Sequence, residues 1–458
     1  MSWKGQWDSV AIAAMVLLAF SFVFGGASYG HALRLAFVEL AALPLLVLAG
    51  RRLVLTGQWR EHKFSLGLLA AVVALPLAQL VPLPPAVWTN LPGRDPMVLA
   101  LELAGLEPGW APLSVTPDRT WRSALALAPP VAFFTAMLTL SHLHRTRLVQ
   151  FCIAAAIAGI LLGAAQLASG SFYLWDWAEA GQIRGFFANR NHLASSLLIA
   201  LPFAVIFGAA TLRRRDQKTS ALWFGALFAG LVVVALAAIR SRAGITLFAP
   251  VMLISLLGAW IAAGRGRPGT GFLVIVGSIG AALTAVAVLA LPPVLARFDT
   301  EGAPEVRLER WPLVAETAQT YLPLGSGMGS FDAVYRSVEP LEELDGTFFN
   351  QAHNDYLETW LEAGWLGMGG ILAFLIWYGR RCWTAWRTPP SREGDLKRAA
   401  SIGIGVLLLH SVGDYPLRTV TLAVVFAMCC GLLELARRTD QAHTARSPKS
   451  SRDRSAPA

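Results

Sequence analysis

The sequence predicts an all-α, polytopic integral membrane protein, and three observations carry that expectation. The 458-residue chain is 55% hydrophobic with 15% charged residues, and its mean hydropathy is +0.53; a water-soluble protein of this length could not hide so much apolar surface. Apolar runs of about 20 residues recur, each long enough to cross a ~30 Å hydrocarbon core, where only helices and closed barrels satisfy their own backbone groups. Basic residues gather in alternate loops, as the positive-inside rule requires.

About twelve spans are read on this basis: 8–27, 31–49, 64–83, 121–140, 148–168, 191–212, 220–239, 243–263, 271–292, 356–378, 399–413 and 419–436. The first and second, seventh and eighth, and last two form tight hairpins. With the N-terminus inside, the inner segments hold Arg51, Arg52, Arg60, Arg145, Arg147, Arg213, Arg214, Arg215, Arg265, Arg267, Arg380, Arg381, Arg387, Arg398, Arg437 and Arg438, and all five lysines (Lys4, Lys63, Lys218, Lys397, Lys449) fall on that side. Both termini are therefore expected in the cytoplasm. The net charge of +9 follows from topology, and nucleic-acid binding is not implied. The outer side carries arginine without lysine: Arg94, Arg119, Arg122, Arg184, Arg190, Arg240, Arg242, Arg297, Arg307, Arg310, Arg336 and Arg418. Guanidinium keeps its proton and grips phosphate with a bidentate fork, which points to an anionic partner on that face. Cys152, Cys382, Cys429 and Cys430 lie in spans or on the inner side, so neither a disulfide nor a metal-ligand spacing is expected. The first span lacks a suitably framed small-residue cleavage site and is not read as a signal peptide.

The chain divides into three regions. Residues 1–120 form an N-terminal three-span region ending in a Pro-rich outer loop, 84–120, with Trp88 and Trp110, expected as a ledge on the membrane surface. Residues 121–436 form the main membrane core, with a second large outer loop over 293–355. Residues 437–458 form a polar tail expected to be disordered in the cytoplasm. In the second loop, Pro304 opens a helix that sets Arg307, Trp311 and Val314 on one face with Arg310 one turn from Arg307, and Pro312 is expected to kink or restart it. LGSGMGSF at 324–331 lacks the Lys-Ser/Thr of a nucleotide-binding P-loop. It reads as a return turn, with a backbone-amide cradle for phosphate as the alternative.

The segment HNDYLETWLEAGWLG, 353–367, opens an apolar helix directly after that loop. Asp355 and Glu358 resemble a capping box. His353 would precede the first turn, where the helix dipole disfavours imidazolium and favours a neutral general base; the bland alternative is an interfacial histidine bonded to a loop carbonyl. Gly364, Gly367, Gly369 and Gly370 would admit a neighbouring backbone. Other outer-face clusters are IRGFFANRNHLASS at 183–196 (Arg184, Asn189, Arg190, Asn191, His192), the short turn IRSRAG at 239–244 with Arg242, and HSVGDYPLR at 410–418 with His410, Asp414 and Arg418. The first outer loop, GGASYGH at 25–31, offers no carboxylate for a hard metal ion; arginines would neutralise a leaving diphosphate instead. Within the second span, Arg34 and Glu39 are expected to pair.

Several of these segments together resemble the O-antigen ligase and polymerase family. His353 and Asn354, then nine residues, Gly364, two residues and Gly367 are similar to its signature, with Met368 where Ser or Thr is usual. RGFFANRNHLA matches at Arg184 and Asn191, SRAG at Arg242, and RLERW with LGSGMGSF at Arg307 and Trp311. The resemblance spans roughly residues 150–435.

The resemblance implies a GT-C-like enzyme of the bacterial inner membrane, multi-pass and working on the periplasmic face. It would be metal-independent and inverting, use no cofactor, and take a glycan from undecaprenyl diphosphate to a saccharide acceptor. That acceptor is the lipid A–core in a ligase and a lipid-linked repeat in a polymerase; some relatives glycosylate proteins. By this resemblance Arg184, Arg242 and Arg307 hold the diphosphate and His353 activates the acceptor hydroxyl. Asn191, Arg310, Trp311, Asn354, Asp414 and Arg418 are expected around the substrates. Other partners would be membrane lipids alone. A lipid-linked-sugar transporter or flippase is the rival from another class, but it calls for polar groups near the bilayer midplane rather than at one face.

Overall fold

The computed structural model describes residues 8–28, 30–176, 181–213, 219–264, 277, 280, 303–344 and 349–435. In chain order the helices are α1 (Ser9–Phe24), α2 (Ala32–Leu55), α3 (Lys63–Gln79), α4 (Pro85–Trp88), α5 (Asp95–Leu103), α6 (Pro117–Ala126), α7 (Ala128–Thr139), α8 (His142–Ser169), α9 (Arg190–Ala210), α10 (Thr219–Ile239) and α11 (Arg242–Ala262). They continue as α12 (Ala303–Thr320), α13 (Phe331–Arg336), α14 (Asp355–Arg387), α15 (Arg392–His410) and α16 (Val420–Glu434). One two-stranded antiparallel ribbon, β1 (Pro82–Leu83) with β2 (Ala111–Pro112), closes the outer ledge.

Among the described residues, eight helical stretches are long and apolar enough to cross a membrane, and α1 and α16 are shorter apolar helices. The protein is an all-α polytopic membrane protein. Eleven of the spans read from sequence fall on helices; the one at 271–292 lies outside the described residues except for Gly277 and Gly280. Helix starts follow local chemistry. Asp8, Ser141, Asn189, Ser241, Asn354 and Ser391 each cap a helix by accepting a backbone N–H with the side chain, which satisfies donors that a helix N-terminus leaves open.

The core centres on α9, which is buried along almost its whole length and touches α8, α10, α11 and α15. A second group, α1, α2, α7 and α16, joins it where α15 packs on α16. At the end of the bundle away from His353, ion pairs tie helices together. Asp8 meets Arg52 at 2.9 Å, Glu434 meets Arg381 at 2.7 Å and His62 at 3.0 Å, and Asp395 meets Arg213 at 2.8 Å and Arg398 at 3.0 Å.

The ledge over 82–126 holds Trp88 buried, its indole N–H donating to the Gly109 carbonyl at 2.7 Å, and Trp110 exposed. Pro312 sits inside α12, which runs on through it as one helix. Arg34 does not pair with Glu39; its guanidinium donates to the Leu174 carbonyl and lies over the Trp175 ring at 4.9 Å.

The glycine-rich return threads a break in α14. Gly364 adopts φ +53°, ψ −141° inside that helix, and the carbonyls freed there accept from the return: Leu361 O from Ser326 N and Glu362 O from Gly327 N, each at 2.9 Å. Trp365 N donates to Pro323 O at 2.9 Å. Met328 N donates to the Gln79 side chain at 2.9 Å and Phe331 N to the Glu362 carboxylate at 3.2 Å. These amides are spent on α14 and α3, so the return serves as the turn, and the phosphate-cradle alternative is set aside. Of the four glycines expected to admit a neighbour, Gly364 does so; Gly369 and Gly370 face open space.

A Cβ at residue 364 would lie 2.2 Å from Pro323 O, on a backbone that disfavours L side chains. Gly364→Ala is therefore expected to destabilise the protein by more than about 2 kcal/mol, seen as a lowered thermal unfolding midpoint in detergent, whereas Gly369→Ala leaves the midpoint in place.

Candidate functional site

At the other end of the bundle, one buried carboxylate gathers side chains from four segments. Asp414, 1% exposed, lies in the turn after α15. His353 Nδ1 stands 3.3 Å from its Oδ1 and His410 Nε2 3.8 Å from its Oδ2. The Asn191 side-chain amide donates to Oδ2 at 2.7 Å and the Asn189 amide at 3.3 Å. Asn191 in turn accepts from the Ser241 hydroxyl at 2.8 Å, and Ser241 caps α11, whose first residue is Arg242. Burial alone would raise the Asp414 carboxyl. Contact with His353 and the fields of His192, His353 and His410 outweigh that and hold it well below the usual carboxylate range.

His353 itself takes φ +50°, unusual for a side chain with a Cβ. Its ring stacks on Phe349, centroids 5.6 Å apart, and meets Tyr415 edge-on at 4.7 Å. Arg310 lies over the Phe349 ring at 5.1 Å and reaches Glu339 at 3.7 Å. The residue before, Ala352, is held on both backbone groups. Its carbonyl accepts from the Trp311 indole at 2.8 Å, and its N–H donates to the Glu358 carboxylate at 2.9 Å.

The cap of α14 is Asn354, whose side chain accepts from Tyr356 N and Leu357 N at 3.1 Å. The capping box expected from Asp355 and Glu358 is thus displaced. Asp355 accepts from the Ser411 hydroxyl at 2.7 Å, and Glu358 reaches back beyond the cap to Ala352. His353 does precede the first turn, as expected.

Arg418 spans three carboxylates of α14: Glu362 at 2.8 Å, Glu358 at 3.4 Å and Asp355 at 3.6 Å. Burial would lower its pKa, and these carboxylates raise it above the ordinary arginine value instead.

The sequence candidates therefore divide. His353, Asn191 and Asp414 come together, and Arg242 starts the helix whose cap bonds Asn191. Arg184 lies on the segment leading to Asn189; it donates to the Ala188 carbonyl at 2.6 Å and to the Gln182 side chain at 2.9 Å. Trp311, Arg310 and Asn354 surround His353. The backbone of Arg307 lies in α12 and its side chain is outside the described residues. Other outer arginines have structural partners: Arg119 and Arg336 flank Asp332 at 2.6 and 2.7 Å, and buried Arg94 donates to the Leu113 carbonyl. Sequence reasoning passed over Ser241, Phe349 and Tyr415. A serine three residues before Gly244 is a cap signal for Ser241; nothing local marks the two rings. Among the described residues no three His, Cys, Asp or Glu side chains are arranged to hold a metal ion.

A carboxylate with a depressed pKa lends stability that is present above its unfolded value of about 3.9 and fades as pH falls through the folded value. Asp414→Asn is accordingly expected to cost roughly 1–3 kcal/mol, with a thermal midpoint below wild type that stays depressed from pH 8 to pH 5 and converges with wild type only in stronger acid.

Among curated proteins none matches this chain. Residues 191–372 match the family model described as O-antigen ligase. That segment runs from Asn191 through Arg242, Arg307 and Trp311 to His353 and the broken start of α14; Asn189, His410, Asp414 and Arg418 lie outside it. Over those residues the chain is similar to the O-antigen ligase family, and its long apolar helices make it a multi-pass membrane protein.

Proposed function

We propose that the protein transfers a glycan from undecaprenyl diphosphate to a saccharide hydroxyl on the periplasmic face of the bacterial inner membrane, as a ligase with lipid A–core as acceptor. The observation that carries this reading is the His353–Asp414 pair, mounted at the start of α14 beside Asn191 and the Ser241-capped helix that begins at Arg242.

In this reading Asp414 accepts a hydrogen bond from the Nδ1–H of His353, which fixes the tautomer and leaves Nε2 unprotonated as the base. The 3.3 Å separation is of the kind that tightens when substrate binds. The acceptor oxygen bonds to the anomeric carbon as that carbon's bond to the diphosphate oxygen breaks. The hydroxyl proton passes to Nε2, and undecaprenyl diphosphate leaves with the bonding electrons. A single displacement inverts the anomeric centre. Arg242 and Arg307 hold the diphosphate and stabilise its growing charge without a metal ion, and Arg184 joins them by exchanging its bonds to the Gln182 side chain and the Ala188 carbonyl for the diphosphate oxygens. Asn191, Asp414, Trp311, Asn354 and Arg418 are engaged in internal bonds, and we assign them to positioning rather than to direct substrate contact; Arg310 shapes the acceptor side through Phe349.

Purified protein in lipid nanodiscs, given a lipid-linked glycan and acceptor, tests this. His353→Ala should bind donor yet lose about 10²–10⁴ in rate, while Arg307→Ala should lose donor binding as well; normal turnover in both removes the assignment. Deleting the gene separates the branches. Unattached long lipid-linked chains support the ligase, single repeats on the core indicate a polymerase, and lost protein glycosylation indicates the third branch. The orientation is tested with single cysteines. A membrane-impermeant maleimide added from the periplasm should label Val412→Cys but not Thr56→Cys, and the opposite pattern would invert the topology.

A further inference from the structure

We propose that Glu358 is a positioning residue for His353, acting through the Ala352 backbone amide. The inference rests on His353 being the base.

His353 occupies a left-handed backbone conformation, which costs about 1–3 kcal/mol and persists only where surroundings over-determine it. Two peptide planes precede the ring. The 352–353 plane is fixed by the Trp311 indole on the Ala352 carbonyl, and the 351–352 plane by Glu358 on the Ala352 N–H. On the other side of the ring, Asn354 holds the chain by capping α14. Glu358 lies one turn into that helix and is 1% exposed. Arg418 holds it from one side, and the Gln351 amide, turned to donate, reaches it at 3.0 Å. A buried carboxylate that spends an oxygen on one backbone amide is a costly way to make a turn. Its geometric result is a His353 backbone pinned from both sides, with the ring delivered between Phe349 and Tyr415 against Asp414. Trp311 comes from α12 and Glu358 from α14, so the outer loop and the membrane helix jointly set the position of the base.

The test is steady-state kinetics in nanodiscs on Glu358→Leu, Glu358→Gln, Trp311→Phe and the Leu/Phe double variant, with the lipid-linked donor and saccharide acceptor. Misplacing a reacting group by about 1 Å costs on the order of 10²-fold. Glu358→Leu should therefore lower kcat about 10–100-fold with donor KM within about twofold. Glu358→Gln, which keeps an acceptor oxygen for Ala352, should recover most of that loss. The double variant should lose less than the product of the single losses, because both bonds hold one residue. If Glu358→Leu does not fold, Glu358→Asp carries the same expectation, since its shorter stem withdraws the oxygen from Ala352 and keeps the charge beside Arg418. A folded Leu or Asp variant with wild-type kcat, alongside an inactive His353→Ala, overturns the role of Glu358 and leaves the base assignment standing. An active His353→Ala overturns the base assignment itself.

Discussion

The buried carboxylate of Asp414 is the constraint on which the His353 end of the bundle depends. An ionised group at 1% exposure is tolerated only when its lone pairs are met. Here they are met by Asn189 and Asn191 at the start of α9, by the Tyr415 N–H and by His353 before α14, with His410 at the end of α15 adding its field from 3.8 Å. The requirement to satisfy one charge therefore fixes where three helices end relative to one another. Through Ser241 it reaches the start of a fourth, α11, and with it Arg242.

A second constraint couples the loop before α14 to the membrane helices. An unbroken α14 would keep its carbonyls to itself. The positive φ at Gly364 opens the ladder, and Leu361 and Glu362 give their carbonyls to the glycine-rich return. Glu362 also meets Arg418, so this short first segment of α14 is bonded at its base to the loop and along its side to the turn before α16. A histidine set on that segment inherits the rigidity of both. Such support is what precise placement of a reacting group demands.

Much of this was legible in the sequence because the signals are local. Span positions follow from hydropathy, and the polar clusters at 183–196 and 239–244 fall at the starts of α9 and α11. His353 was marked by its place between a polar loop and an apolar helix. Apart from the kink expected at Pro312, the differences concern partners distant in the chain. Arg418 reads as an outer arginine available to an anion, because Asp355 and Glu362, which neutralise it, lie 63 and 56 residues earlier. The stretch at 324–331 reads as the turn it is; its amides stay open to a phosphate cradle as the alternative because nothing near them announces the break at Gly364. Asp355 looks like the cap-box acid of α14, yet Ser411 claims it through a tertiary contact, and Asn354 caps the helix instead. Arg34 and Glu39 share a helix, but an aromatic ring and a carbonyl from the α8–α9 segment take the guanidinium.

The most direct measurement is an experimental structure of the protein in nanodiscs with a non-transferable undecaprenyl-diphosphate glycan analogue. The account places the diphosphate against Arg242 with the anomeric carbon facing His353 Nε2, and leaves room for an acceptor oxygen at hydrogen-bond reach, about 2.6–3.2 Å from that nitrogen. A diphosphate bound at the opposite end of the bundle, near Arg213 or Arg381, or one seated on the His353 side with that ring shut away from it, would contradict it.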